Sequence, residues 1–268
     1  MQGFLPLLLR HQRVTQDHLS MGTVVMFDRL PGRALASEFY WWLQNIRRKC
    51  VGTRVDEKIW KKRSRSHLQK NLGNVLLPHR VWLIDNILAH LEITPQENEG
   101  QGHTTVLEIG CGCGANLEVL ARRTPTLQLV GIDISPVSIA VGRERFAELG
   151  IGSVTLVEGQ ADNLSCLANA SVDVVFTDAM LLYIGPDKIQ VCIEEMRRVA
   201  RRALILLEMH MEGIGLGGSY TRDGWVRDYR VLFNQLGYDT KLLRMPPEAR
   251  PAGRWPKYGT LIEVKLRS

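Results

Sequence analysis

The stretch VLEIGCGCGANL, Val106 to Leu117, sets an apolar, strand-like run against three glycines at every second position, followed by a helix-like continuation. A glycine-rich turn between a strand and a helix brings backbone close to a nucleotide-like ligand at the C-terminal edge of a parallel sheet. Gly110, Gly112 and Gly114 supply that approach. The dinucleotide fingerprint G-x-G-x-x-G needs its last glycine one residue later, where this chain has Ala115. Glu108 closes the strand and stands beside the turn. A carboxylate there disfavours a pyrophosphate and favours a ligand carrying positive charge.

Outward from this turn the chain alternates. The strand-like segments are TVLEI (105–109), QLVGIDI (128–134), SVTLVE (153–158), VDVVFTD (172–178) and ALILLE (203–208). Between them run ANLEVLARR, PVSIAVGRERFAEL and PDKIQVCIEEMRRVAR, which read as helices. Apolar strands alternating with amphipathic helices predict a parallel sheet covered on both faces. A helix around 223–236 is expected next, then TKLLRM and TLIEVKL on either side of a proline-containing loop. Two strands joined without a helix pair antiparallel or leave the sheet. Upstream, residues 35–93 read as helical and TPQENEGQGHT (94–104) as a linker. These boundaries predict an N-terminal arm (1–34), a helical cap or lid (35–94) and an α/β domain (95–268).

A length of 268 residues suits one large α/β domain with an appendage. The longest apolar runs, such as LILL at 204–207, are too short to span a bilayer. MQGFLPLLLRHQR has no basic residue ahead of its apolar patch and no small-residue cleavage site, so no secretory signal is read. Cys50, Cys111, Cys113, Cys166 and Cys192 form no disulfide framework, which points to a reduced, cytoplasmic setting. Cys111 and Cys113 are too cramped to be two ligands of a usual zinc site, and no other cluster has metal spacing. Of the net charge of +6, the segment Arg47–Lys70 carries +8, leaving −2 elsewhere. A solvated helix face, an anionic substrate and a nucleic acid all fit that segment.

Further positions repeat the pattern set by Glu108. Asp133 ends the second strand, where a carboxylate accepts both hydroxyls of a ribose. After the third strand, EGQADNLS offers Gln160, Asp162 and Asn163 to an adenine edge. E-x-G-x-G-x-G at the first strand, GIDIS at the second and GQADNLSCLANASVDVVFTDAMLLYI across the third and fourth resemble class I S-adenosylmethionine-dependent methyltransferases of the small-molecule type. The resemblance covers residues 104–209, and the closing TKLLRM and TLIEVKL pair is similar to that family's reversed final hairpin. It implies a doubly wound, seven-stranded Rossmann-like sheet with a terminal antiparallel hairpin, an N-terminal helical extension and S-adenosylmethionine as cofactor. It also implies that Glu108, Gly110, Cys111, Gly112, Gly114 and Asn116 surround the methionine end of that cofactor. Asp133 and Ile134 would hold the ribose, and Ala161 and Asp162 would face the adenine, with Thr177 nearby. Relatives often carry an acid at Gln160, so Gln160 and Asp162 both stand as partners of the adenine amino group.

Transfer from a sulfonium needs alignment of a nucleophile and exclusion of water, and a general base only where the acceptor carries a proton. Asp178 after the fourth strand and His210 after the fifth are the candidates for that base. Tyr183, Tyr220 and Trp225 are candidate substrate walls. Tyr40 and Trp41 join them, because the helical extension of such enzymes often covers the acceptor. No N-P-P-[FY]-type stretch follows the fourth strand, which disfavours exocyclic base or amide nitrogens as acceptors. The expectation is a methyltransferase acting on oxygen or nitrogen of a small molecule, with no membrane partner and homodimer formation open. An RNA methyltransferase guided by residues 47–70 and a non-catalytic module that keeps the cofactor fold are the alternatives.

Overall fold

Strands that are apolar on both faces need cover on both faces, and this requirement organises the chain. The computed structural model describes residues 40, 43, 46–48, 50–62, 76–91, 104–215, 218–221, 224–251 and 253–266. In chain order the strands are β1 (Thr105–Ile109), β2 (Gln128–Asp133), β3 (Val154–Glu158), β4 (Val172–Asp178), β5 (Ala200–Met209), β6 (Ser219–Thr221), β7 (Gly224–Val226), β8 (Thr240–Arg244) and β9 (Gly259–Lys265). The helices are α1 (Arg54–Lys61), α2 (Pro78–Leu91), α3 (Ala115–Arg123), α4 (Pro136–Glu148), α5 (Ile189–Val199), α6 (Tyr229–Asn234) and α7 (Trp255–Tyr258).

Among the described residues seven strands form one sheet in the order β3-β2-β1-β4-β5-β9-β8. The first five are parallel, and β9 runs antiparallel to both β5 and β8. Side chains alternate between two cores. Val106, Phe176, Ile205 and Leu207 pack with Leu83, Ile84 and Ile87 of α2 and Leu117 and Leu120 of α3. Leu107, Ile109, Leu204 and Leu206 pack with Ile193 and Met196 of α5 and Leu232 and Phe233 of α6. Each such buried side chain contributes roughly 1.5–3 kcal/mol. The helix starts follow local chemistry. Ser135 Oγ accepts from Ser138 N at 3.2 Å with Pro136 in the first turn, and an Asp228 oxygen accepts from Val231 N at 3.3 Å.

Register decides where the site falls. Ile109 lies level with Ile132, and Asp133 with Glu158, so the loops after β1, β2 and β3 leave the sheet together. Because β2 and β4 flank β1 on opposite sides, the strand order reverses there, which opens a crevice at the carboxyl ends.

The seven-stranded sheet and its closing antiparallel pair match the expectation from sequence. The expected helix around 223–236 does not. Residues 224–226 form β7, paired antiparallel with β6, and the helix starts only at Tyr229. Gly224 sits at φ 138°, a backbone conformation side chains resist, and an added Cβ would lie 2.5 Å from Leu182 Cδ1. Strand β5 begins at Ala200, three residues earlier than read, and shortens the preceding helix. The expected arm at 1–34 and residues 63–75 and 92–103 lie outside the described residues. Residues 1–47 and 48–268 form two separate units, and α1 and α2 belong to the second together with the sheet.

Candidate functional site

At the carboxyl ends of β1, β2 and β4 lies a cavity of about 420 Å3. Its floor is the glycine turn. Gly110 N and Cys111 N both donate to Ile132 O, at 2.7 and 3.1 Å, which fixes the turn onto β2. Gly110 has φ 75°, and an added Cβ would lie 2.3 Å from Met180 Cγ, so glycine alone lets the loop after β4 close against the turn. Asp133 is oriented by two amides: Gly112 N donates to Oδ2 at 2.9 Å and Ser135 N to Oδ1 at 2.8 Å.

Beside the turn sits a chain of polar side chains. Arg80 Nε on α2 donates to Asn116 Oδ1 at 2.6 Å. Asn116 Nδ2 in turn donates to Glu108 Oε1 at 2.7 Å and to Asp178 Oδ2 at 3.1 Å. One amide group therefore serves two carboxyls. Glu108 is only 2 % exposed, and its Oε2 has no hydrogen-bond partner among the described residues. Burial, set against the Asn116 hydrogen bond, pushes its carboxyl up to about 8.

The far wall comes from α1 and from the loop after β4. Thr53, Asp56, Glu57 and Trp60 recur at helical spacing, so one face of α1 lines the cavity. Thr53 Oγ1 donates to Asp187 Oδ1 at 2.9 Å and accepts from Gly185 N at 2.7 Å. Lys188 Nζ lies 2.6 Å from Glu57 and 2.7 Å from Asp162, tying α1 to the loop after β3. Burial opposes the charge of Lys188, but the hydrogen bonds to Asp162 and Glu57 outweigh it and hold the ammonium above the ordinary lysine range. Trp60 meets Tyr183 edge-on, with ring centroids 4.6 Å apart.

A model of the methyltransferase domain matches residues 106–203. A protein of Mycobacterium ulcerans provisionally named an O-methyltransferase is 30% identical over 145 residues, which are 53% of this chain and 63% of that one. A tRNA (guanine-N(7)-)-methyltransferase of Christiangramia forsetii is 33% identical over 89 residues, 33% of this chain and 40% of the other. Residues 106–203 thus match a methyltransferase domain, and the fold is that of S-adenosylmethionine-dependent methyltransferases. The chain spans less than two thirds of the length of these curated relatives. The crystal structure of a SAM dependent methyltransferase from Aquifex aeolicus shares the fold at a TM-score of 0.54 and 17% identity, covering 76% of this chain and 99% of that one. Magnesium protoporphyrin IX methyltransferase from Synechocystis, solved with bound SAM, also has a TM-score of 0.54, at 16% identity, over 80% of this chain and 96% of its own.

The cavity gathers Glu108, Gly110, Cys111, Gly112, Asn116, Asp133, Ile134, Gln160, Ala161, Asp162, Asp178 and Tyr183. Other expected site residues stand elsewhere. Gly114, at φ 82°, leaves room for the Phe146 ring behind the turn, 2.7 Å from where a Cβ would be. Thr177 is fully buried behind the wall, where its hydroxyl donates to Glu208 Oε1 at 2.8 Å. His210 is a correction to the expected base, because it does not line the cavity. Its Nδ1 accepts from Tyr229 N at 3.2 Å in a buried setting, and burial lowers its pKa. Tyr220 and Trp225 pack edge-on across the β6–β7 hairpin, 5.4 Å between centroids, and also stand off the cavity. Tyr40 belongs to the other unit and is exposed there, and Trp41 lies outside the described residues.

Arg80, Lys188 and Thr53 line the cavity and were not singled out from sequence. Their partners lie far along the chain, so no local spacing marks them. Trp60 carried a signal, an aromatic inside a basic run, but that run gave no direction for the ring. Among the described residues no group of histidines, cysteines and acids could hold a metal ion, and no helix is long and apolar enough to cross a membrane.

Proposed function

We propose that the chain is an enzyme that transfers a methyl group from S-adenosylmethionine to oxygen or nitrogen of a small molecule. The observation that carries this reading is the charge of the cavity. Asp56, Glu57, Glu108, Asp133, Asp162 and Asp178 line it against Arg80 and Lys188. A ligand bearing an ammonium and a sulfonium gains from that field, whereas a pyrophosphate or a polyanion loses. Two details fit the same ligand. Glu108 Oε2 is a buried acceptor lacking a donor, and a Cβ at Gly112 would meet nothing within 4 Å, leaving open space over the turn.

S-adenosylmethionine, when bound, supplies a methyl group already activated on sulfur. The residues of the chain then have alignment and proton transfer left to do. Glu108 and Asn116 hold the amino-acid end. Asp133, fixed by two amides, keeps lone pairs for the ribose hydroxyls. Gln160, Ala161 and Asp162 border the base. Asp178, held by Asn116, accepts the proton of a hydroxyl or ammonium acceptor. Tyr183 and Trp60 form the apolar wall, and α1 and α2 act as the cap that excludes water.

Binding of S-adenosylhomocysteine, followed by calorimetry or thermal shift, tests the cofactor assignment, and no binding would leave a non-catalytic module as the reading. The +8 segment of residues 47–70 supports an RNA acceptor instead; part of it lies outside the described residues, and Arg48 pairs with Asp56. RNA affinity that falls steeply with salt would favour that acceptor over a small molecule.

A further inference from the structure

Unlike Asp56, Glu57 and Asp162, Glu108 makes no salt bridge among the described residues. Glu108 lines the cavity; its Oε1 shares the Asn116 amide with Asp178, and its buried Oε2 has no donor among the described residues. Arg80 donates from Nε to Asn116 Oδ1, and its charge lowers the Glu108 pKa by less than burial raises it. Two carboxyls on one amide group in a buried corner cannot both be charged cheaply. We infer that arrival of the ligand's ammonium group expels a proton from Glu108 into solvent. This rests on the cofactor reading proposed above and adds a property that reading does not require.

The groups facing Glu108 leave it as the source. From α3 comes Asn116, which does not titrate. From α2 come Arg80 and His79; burial lowers the pKa of His79, so the ring is neutral and has no proton to give at neutral pH. From the turn comes Cys111, whose thiol is raised well above its ordinary range by burial and by nearby acids, so it stays protonated. From β2 comes Asp133, whose two oxygens both accept amide hydrogens, and from β4 Asp178, which accepts from Asn116. Before the ligand arrives Glu108 is the neutral acid: Oε1 accepts from Asn116 and the buried Oε2 carries the hydroxyl. An incoming ammonium donates to Oε2, the O–H bond of the acid breaks, the electron pair stays on oxygen, and the proton goes to buffer. The buried carboxylate then has a counter-charge in direct contact.

Calorimetric titration of the full chain with S-adenosylhomocysteine, at pH 7 in phosphate and in Tris, reads this directly, because the two buffers take up a proton with different heats. The expected result is a heat difference equal to nearly one proton released per ligand. Affinity should also rise by close to tenfold from pH 6 to pH 7 and level off above about pH 8. In Glu108→Gln both the release and the slope should vanish while the ligand still binds. Equal heats in the two buffers for the wild-type chain would overturn the inference. So would release that persists in the Gln variant, since the proton would then come from the ligand's own amine. Should that variant fail to fold, a flat pH series in the wild-type chain overturns the inference by itself. Complete absence of binding sinks the cofactor reading and this inference together, whereas binding with equal heats sinks this inference alone.

Discussion

Glu108 at the end of β1 and Glu208 near the end of β5 are both buried glutamates, 2 % and 0 % exposed, yet their surroundings differ. Glu208 accepts from Thr177 Oγ1 and from the backbone amides of Met180, Leu181 and Leu182, at 2.8 to 3.2 Å. Arg227, itself fully buried, donates from the other side to Leu181 O and Ile184 O, so the short turn that carries Met180 and Tyr183 is gripped at both ends. Glu108 accepts one hydrogen bond and leaves its buried Oε2 without a donor among the described residues. Burial raises both, to about 8 for Glu108 and about 7 for Glu208, so the titration of a carboxyl does not reveal its task. Its donors do. An acid with both oxygens engaged supports the fold, and an acid with a missing donor is directed at something the chain does not contain.

Substitutions can break that distinction, and the largest effect is expected at Glu208. Glu208→Ala leaves three buried amides and a hydroxyl without an acceptor and Arg227 without its nearby counter-charge. A loss of roughly 3–5 kcal/mol in urea unfolding is expected. A loss below about 1 kcal/mol would mean that the turn does not depend on it. Glu108→Gln should do the opposite in the ligand-free protein. The folded-state pKa of Glu108 is raised above its unfolded value of 4.5. The stabilisation from holding its proton is therefore complete below pH 4.5 and is lost as the pH rises to about 8. A glutamine pays no such penalty, so the variant should match wild type near pH 5 and exceed it at pH 9 by on the order of 2–4 kcal/mol. A destabilised variant at pH 9 would place Glu108 with Glu208 as a structural acid. Asp133 stands between the two cases, with both oxygens held by amides and its carboxyl also on the cavity wall. Asp133→Ala should cost S-adenosylhomocysteine about tenfold to a hundredfold in affinity, the worth of charge-assisted hydrogen bonds of about 1.5–3 kcal/mol. Unchanged affinity would remove Asp133 from the ligand site.

The same contrast explains what could be read from sequence. β1 to β4, the glycine turn and Asp133 were legible because each expresses a local rule: apolar runs for strands buried on both sides, glycine where backbone must approach, an acid at a strand end. The β6–β7 hairpin was not, since three-residue strands are too short for alternation and Gly224 resembles any loop glycine. Arg80 and Lys188 were invisible because their partners, Asn116 and Asp162, come near only once the sheet has formed. His210 looked suited to proton transfer by residue type alone. The fold instead turns its ring toward Tyr229, because α6 packs against β5 on that side. Chemical type and strand-end position locate a rim, and only packing decides which rim residues face inward.

Thr177 gives the smallest and sharpest test, because its position beside Asp178 suggested ligand contact whereas its hydroxyl serves Glu208. Thr177→Val keeps the shape of the side chain and removes one of four donors, leaving the three amides in place. Stability should fall by about 1.5 kcal/mol, the low end for a hydrogen bond to a charged group, because the acceptor stays otherwise satisfied. Affinity for S-adenosylhomocysteine should not change, since no atom of Thr177 lines the cavity. A stability change without an affinity change assigns the residue to the gripped turn. An affinity loss larger than the stability loss would mean that Glu208 and its donors reach the ligand after all, and the line drawn between the two glutamates would have to be redrawn.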